Sequence, residues 1–420
     1  MKDRFAIIGL GYVGINLALE FGKKTPTIGF DINSKRIQEL KNNIDRNKEF
    51  SKKDILESKY LKLTSNFLDL ENCKNFIITV PTPIYKNKKP DLRSLKNATK
   101  LISKFIKKDS IIIYESTVYP GCTEEVCVPI IEKYSKKTYQ KDFNCAYSPE
   151  RVNPGDKVNR FNKIKKIIGA SSKSTLNRVY ELYKIILGDN LVKVSSIKVA
   201  EASKVIENIQ RDLNIALINE FAVIFNRLGL NSKEIIDAAS TKWNFNKYHP
   251  GLVGGHCIGI DPYYLTYKSK QIGYNPKVIL AGRNMNESMP NFVMKLLLEE
   301  ARFRNINISQ KKILIAGYTF KENCSDIRNT KVKNLYDIAK KKFKSVDIYD
   351  PVAYVDSNDD KKKFTNLNDN KIKYSFIIFA VGHDFFKNLG INFFIKRLNK
   401  NSIILDLKSI FPKYRDSIKL

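Results

Sequence analysis

The sequence predicts an α/β protein of two doubly wound parallel sheets joined by a long helix. Three observations carry that expectation. Short apolar runs alternate with amphipathic helical stretches through the first third, helical periodicity fills the middle, and strand-like runs return in the last third. Strand–helix alternation is the pattern of a parallel sheet with helical crossovers. At 420 residues the chain is too long for one compact core, so two or three domains are expected.

The first-third strands are FAIIGL (5–10), PTIGFD (26–31), NFIITV (75–80) and SIIIYES (110–116). From about Val199 to Ala239 apolar residues recur at helical spacing, among them Val205, Ile209, Leu213, Ala216, Leu217, Phe221, Ile224 and Phe225. A helix of ~30 residues is on the order of 45 Å long and can connect two domains. Strands return as KKILIAGYTF (311–320), SVDIYDP (345–351), YSFIIFAVG (374–382) and NSIILDLK (401–408). This second α/β unit is a loose echo of the first. Pro90 with its flanking lysines and the polar stretch Asp356–Asp360 read as loops.

Gly9-Leu10-Gly11-Tyr12-Val13-Gly14 matches G-x-G-x-x-G, follows an apolar strand and opens a helical pattern closed by Gly22. Gly9 permits a tight turn, Gly11 lets backbone approach a pyrophosphate, and Gly14 lets helix pack on strand. The helix amino terminus then faces the phosphates with partial positive charge. Asp31 ends the next strand, where a carboxylate accepts hydrogen bonds from the adenosine ribose and repels a 2′-phosphate. The cofactor expected of this Rossmann-like unit is NAD rather than NADP.

The 74 Lys and Arg residues outnumber 43 Asp and Glu, for a net charge of +31. The cations are mostly lysines spread along the chain, without aromatic interleaving. This is the pattern of a solvated surface rather than of a nucleic-acid groove. A non-catalytic, nucleic-acid-binding Rossmann protein is the remote alternative. Six scattered cysteines, no CxxC and three histidines (His249, His256, His383) argue against disulfide or metal frameworks and for a reducing cytoplasm. No apolar run approaches the ~18 residues of a membrane span.

Gly254-Gly255-His256-Cys257-Ile258-Gly259-Ile260-Asp261-Pro262 is the other dense signal. Glycines beside a cysteine let a substrate approach and leave the sulfur unshielded, while a nearby carboxylate orders water. Cys73, Cys127 and Cys145 read instead as small buried hydrophobes. His256 is a candidate activating base, although neighbouring side chains tend to diverge.

Together these residues resemble the nucleotide-sugar 6-dehydrogenases, the UDP-glucose/GDP-mannose dehydrogenase superfamily. The resemblance covers nearly the whole chain: GLGYVG at 9–14, PTP at 81–83, ESTVYPG at 115–121, SPER at 148–151, Lys204–Asn208, GGHCIGIDP at 254–262 and FKENCSDIRN at 320–329, in the family's order. It implies an NAD-binding Rossmann-like domain (1–198), a central all-α dimerisation domain carrying the cysteine loop (199–305), and a UDP-sugar-binding Rossmann-like domain (306–420). It also implies a homodimer through the central helix.

The implied reaction is four-electron oxidation of a sugar C6 alcohol to a carboxylate, with two NAD reduced. Cys257 would hold the intermediate as thiohemiacetal and then thioester. Lys204 and Asn208 would stabilise the oxyanion. Asp261 and Thr117 would order the water that acts as base, and Glu150 would assist thioester hydrolysis. Besides the glycine loop and Asp31, the implied cofactor contacts are Arg36, Pro81, Thr82, Thr117 and Arg328. Arg151, Arg211, His249, Gly251, Gly254 and Lys321 join Glu150, Lys204 and Asn208 as implied sugar-nucleotide contacts.

Two departures narrow the substrate. UDP-glucose enzymes carry a second Glu where this chain has Pro154, and a Lys where it has Ile260. With Arg211 these resemble the branch acting on UDP-N-acetylgalactosamine or UDP-N-acetylglucosamine in capsule and other polysaccharide biosynthesis. UDP-glucose and UDP-N-acetylmannosamine are the alternatives. Arg211 either contacts the N-acetyl group or pyrophosphate, or pairs with Asp212 or Glu207.

Overall fold

The computed structural model describes residues 4–47, 49–152, 163–255, 258–354, 364–367 and 372–420. The chain packs as two compact units, Met1–Asn208 with Tyr263–Asn275, and Ile209–Pro262 with Pro276–Leu420.

In the first unit, β1 (Phe5–Ile8), β2 (Thr27–Phe30), β3 (Leu61–Thr64), β4 (Asn75–Ile78), β5 (Ser110–Tyr114), β6 (Phe143–Tyr147), β7 (Lys166–Ala170) and β8 (Leu191–Lys193) form one sheet. Its order is β3-β2-β1-β4-β5-β6-β7-β8. Helices α1 (Tyr12–Gly22), α2 (Ser34–Lys41), α3 (Lys52–Leu56), α4 (Arg93–Ser103), α5 (Val128–Ser135) and α6 (Lys173–Leu187) fall between the strands. Phe5, Ile7, Ile77, Ile111 and Ile113 pack in one apolar cluster with residues of α1, α2 and α6. The alternate residues Ala6, Ile8, Phe76, Ile78 and Ile112 are buried too. Successive strand residues point to opposite faces, so this sheet is covered on both. One strand departs from the expected parallel pattern: β7 runs antiparallel to β6, the kind of addition that parallel sheets tolerate away from their centre.

The middle of the chain is helical, with α7 (Ile197–Arg227), α8 (Ser232–Ala239), α9 (Asp261–Gln271) and α10 (Lys277–Phe303). The expected periodic stretch to Ala239 is two helices rather than one. Gly229 adopts a left-handed φ of 69°, and the Asn231 side chain accepts the Glu234 N–H at 3.2 Å to start α8. A glycine past one helix and an asparagine cap before the next are ordinary stop and start signals. The packing boundary lies inside α7, between Asn208 and Ile209.

In the second unit β9 (Lys312–Ala316), β10 (Ser345–Tyr349), β11 (Tyr374–Phe379), β12 (Leu398–Asp406) and β13 (Ser417–Lys419) form a parallel sheet in the order β10-β9-β11-β12-β13. Ile313, Ile315, Phe376 and Ile378 pack on α10 and on α11 (Val332–Lys340). Leu314, Ala316, Ile377 and Phe379 face the opposite way, among Phe386, Phe394 and Phe411. The α/β architecture with two sheets and a long connecting helix is therefore as the sequence predicts.

Candidate active site

In the first unit β1 lies between β2 and β4, and the strand order reverses there. The crevice beyond the carboxyl ends of such strands is where doubly wound sheets bind ligands. The loops at that edge are tied together. Thr79 Oγ1 donates to Gly9 O at 2.7 Å, Thr82 Oγ1 to Thr117 O at 2.7 Å, and Ser116 Oγ to Val80 O at 2.6 Å. Tyr264 OH donates to Thr82 O at 2.9 Å. Thr117 is thus positioned through its own carbonyl, and the exposed Pro81 precedes the threonine that grips it.

Gly9 turns the chain with a φ of 95°. A Cβ on Gly14 would collide with Gly9 O and Thr79 Oγ1. Gly11 differs, since a Cβ there would meet nothing within 4 Å, and its φ is −73°. The packing of the chain itself gives no reason for glycine at Gly11. Gly11 is the N-cap of α1 and no side chain caps the helix, so the amides at Tyr12 and Val13 open a helix end suited to an anion. Asp31 Oδ2 accepts the Leu10 N–H at 2.7 Å, and Oδ1 accepts the Asn33 N–H at 2.8 Å. Arg36 is buried, its Nε donating to Leu10 O at 3.0 Å and its Nη2 2.8 Å from Asp45. Asp31 and Arg36 therefore hold the two sides of the Leu10 peptide. These residues fit NAD: an open glycine, an uncapped helix end and a carboxylate at the end of β2.

Glu150 follows β6. Its Oε1 accepts the N–H groups of Arg151 at 2.8 Å and Val152 at 2.7 Å. Its Oε2 is buried and makes no hydrogen bond among the described residues. Lys166 Nζ lies 3.7 Å from that oxygen and 2.8 Å from Glu115 Oε2. Burial pushes the Glu115 carboxyl up to about 7 against the pull of Lys166. Glu201, on α7, accepts the amides of Gly121 at 2.5 Å and Thr123 at 2.9 Å. It thereby fixes the end of the ESTVYPG segment, and its own carboxyl is pushed up to about 7 by burial.

Lys204 and Asn208 are buried polar residues one turn apart on α7, each engaged by partners. Arg151 pairs with Glu207 at 2.7 Å, and Asp212 with Arg283 at 2.6 Å. Both partners offered to Arg211 by the sequence are thus taken. Half-buried, Arg211 makes no hydrogen bond or ion pair among the described residues. Cys257 and His256, like Pro154, lie outside the described residues. Asp261 begins α9, is buried, and is engaged.

In the second unit the fold itself requires glycine at two positions of the cysteine motif. A Cβ on Gly254 would sit 2.6 Å from Asn329 O, and one on Gly255 2.7 Å from the Phe320 ring. These glycines admit the close approach of segment 320–329. Asn219 clamps Gly251 on both sides, accepting its N–H at 2.8 Å and donating to its carbonyl at 3.1 Å. A Cβ on Gly251 would meet Lys408 Nζ at 2.7 Å. Partial burial, Lys247 and Lys408 hold His249 below the usual histidine range. Arg328 is forked onto Asp326, Nε to Oδ1 at 2.9 Å and Nη2 to Oδ2 at 2.7 Å. Lys321 is half-buried in the loop after β9. Sequence reasoning missed Lys408, Lys166 and Glu115 as candidates. Lys408 was visible as a cation at the carboxyl end of NSIILDLK and Glu115 as the first residue of ESTVYPG, whereas Lys166 gave no signal beyond opening a strand.

Family models match three segments in order. They are the UDP-glucose/GDP-mannose dehydrogenase family NAD binding domain over residues 3–187, the central domain over 198–288, and the UDP binding domain over 314–413. The chain is 48% identical to a UDP-N-acetyl-D-glucosamine 6-dehydrogenase of Salmonella typhi over 99% of its own length and 98% of that protein. It is 46% identical to protein CapL of Staphylococcus aureus over 98% and 96%. The solved structure of a UDP-D-ManNAc dehydrogenase from Pyrococcus horikoshii superposes with a TM-score of 0.88 at 30% identity, covering 99% and 98% of the two chains.

Proposed function

The chain belongs to the UDP-glucose/GDP-mannose dehydrogenase family, and on that premise we propose that it oxidises the C6 hydroxyl of a UDP-N-acetylhexosamine, of GlcNAc or GalNAc type, to the uronic acid. It is an NAD-dependent oxidoreductase with a UDP-binding domain. The observation that carries the substrate reading is identity along the whole chain: 48% to the GlcNAc enzyme against 30% to the ManNAc enzyme. The Arg211 guanidinium supports it, because a half-buried cation that pairs with no anion among the described residues suits a polar or anionic ligand group.

In the proposed chemistry Lys204 and Asn208 stabilise the developing oxyanion, and Asp261 with Thr117 orders the water that accepts the first proton. Cys257 carries the sugar as thiohemiacetal and then thioester, and Glu150 assists hydrolysis. NAD supplies the hydride acceptor, held by Gly11, Asp31 and the α1 amides. Lys321, Arg328 and Lys408 bring cations to the sugar nucleotide. On α7, Val199, Ile206, Leu217 and Ile224 are exposed and recur at steps of 7, 11 and 7 residues, one apolar stripe along the helix. That stripe supports a homodimer through α7. Among the described residues no helix is long and apolar enough to cross a membrane. We place the enzyme in the cytoplasm, where its product, a nucleotide-linked uronic acid, serves polysaccharide biosynthesis.

A panel of UDP-GlcNAc, UDP-GalNAc, UDP-ManNAc and UDP-glucose tests the reading. Two NADH per sugar and the highest kcat/KM for a GlcNAc or GalNAc substrate are expected. Preference for UDP-glucose or UDP-ManNAc would overturn it. Arg211→Leu should raise the sugar KM by about tenfold or more, as loss of a charged hydrogen bond does, with the NAD KM unchanged.

A further inference from the structure

Glu150 is an oriented carboxylate with one oxygen pinned and one left over. The leftover oxygen is buried against an ammonium ion rather than against solvent. That ammonium belongs to Lys166 on β7, whose side chain is only 5% exposed. Glu115, at the end of β5, holds it at 2.8 Å, and the Pro149 carbonyl accepts from it at 3.3 Å. Glu115 is in turn hydrogen-bonded by the Tyr183 hydroxyl from α6. Three strands and a helix therefore converge on one buried group of two carboxylates, one ammonium and one phenol.

A lysine placed this deep is costly unless paired, and one carboxylate at 2.8 Å already supplies the pair. Stability alone gives no reason for Lys166 also to face a second carboxylate, at 3.7 Å. We propose that Lys166 is a positioning residue for Glu150, its ammonium fixing the free Oε2 in place for the hydrolytic step while Glu115 and Tyr183 fix the ammonium. The proposal rests on the reading of Glu150 given above. In that step water adds through oxygen to the thioester carbonyl carbon, and one water proton passes to Glu150. The bond from that carbon to Cys257 sulfur breaks, the thiolate regains the proton, and the C6 acid ionises. Glu150 is effective only if its carboxylate is held in one orientation, since misplacement by about 1 Å costs up to a hundredfold.

The experiment follows full-length enzyme turning over UDP-GlcNAc, or whichever sugar the panel favours. NADH is counted, and intact-protein mass shows sugar retained on the chain. Lys166→Met leaves Glu115 buried without its cation, so the informative variant is the neutral pair Lys166→Met with Glu115→Gln. It should release two NADH per enzyme and then stall with the sugar attached, hydrolysis slowed about tenfold or more. KM for NAD and sugar should be unchanged, and Lys166→Arg should restore most of the hydrolysis. A merely structural role would lower the melting temperature and slow both oxidations alike, without retained sugar.

Glu150→Gln separates the two levels. If it stalls with sugar attached while the neutral pair hydrolyses at the wild-type rate, the role of Lys166 is overturned and that of Glu150 stands. If it shows no stall, Glu150 has no part in hydrolysis and the positioning role falls with it.

Discussion

At the carboxyl ends of β1 and β9 the chain makes the same turn twice. Gly9 and Gly317 have φ of 95° and 91°. Their N–H groups bond the last residue of the adjacent strand, Phe30 O at 2.8 Å and Tyr349 O at 2.7 Å. A Cβ on either would press on a valine, Val80 or Val381. In each unit the neighbouring strand is followed by an aspartate that accepts the N–H of the next loop residue: Asp31 from Leu10 at 2.7 Å, Asp350 from Tyr318 at 2.6 Å.

Beyond that point the loops part. The first opens directly into α1, with Gly11 clear and no side-chain cap. The second runs on to Val332 before a helix begins. Asp350 also takes the Thr319 N–H at 3.0 Å, and the fully buried His383 ring lies 3.1 Å from its Oδ2. His383 Nδ1 accepts the Asn323 N–H at 3.0 Å. The second loop spends its amides on its own chain, while the first keeps a helix end for an anion. What sets the first loop apart is therefore a helix start with no side-chain cap and the clear space at Gly11, with the strand–loop–strand frame common to both. In the second unit the cations proposed for the sugar nucleotide are side chains instead: Lys321, Arg328 and Lys408.

The largest expected effect falls on the second loop. Asp350→Ala strands several buried donors and should destabilise the second unit by about 4 kcal/mol, measured by urea unfolding. The NAD KM of the protein that remains folded should not move. A matching loss of NAD affinity would break the comparison. Gly11→Val should do the reverse. Its Cβ would meet no protein atom within 4 Å, so the melting temperature should stay in place, while the NAD KM rises about a hundredfold, two charge-assisted amide contacts at about 1.5 kcal/mol each. A smaller change is expected for Asp31→Asn, which removes a charge repelling the 2′-phosphate. Discrimination against NADP should fall about tenfold, read from the ratio of kcat/KM for the two cofactors.

The smallest effect is on acid stability. Burial opposes ionisation of Asp350, but His383 and the amides of Tyr318 and Thr319 prevail and hold its carboxyl below the usual aspartate range. Its contribution is present above the unfolded value and is lost as pH falls through the lowered native one. Between pH 7 and pH 3 the wild type should therefore lose more stability than Asp350→Asn. Equal losses would remove Asp350 from the account.

Much of the first loop was legible in sequence, because glycine spacing, strand and aspartate all lie within 27 residues of one another, Phe5 to Asp31. Local chemistry writes itself into local text. The second loop was legible only as an echo, since its filling residue His383 arrives from after β11, 64 residues beyond Thr319. The packing of the glycines before Cys257 was hidden for the same reason: their neighbours Asn329 and Phe320 come from far along the chain. Arg211 stayed open in sequence because two acids sat within reach. The fold gives Glu207 to Arg151 and Asp212 to Arg283.

By itself the sequence determined the α/β class, the eight strands named from apolar runs, the NAD loop and the family, all of which depend on residue type at short spacing. Tertiary structure alone decided which loop amides the chain itself takes up, which cation reaches which carboxylate, and that Lys166 stands between Glu115 and Glu150. Burial and pairing are properties of what folds back from elsewhere, and no local pattern specifies that.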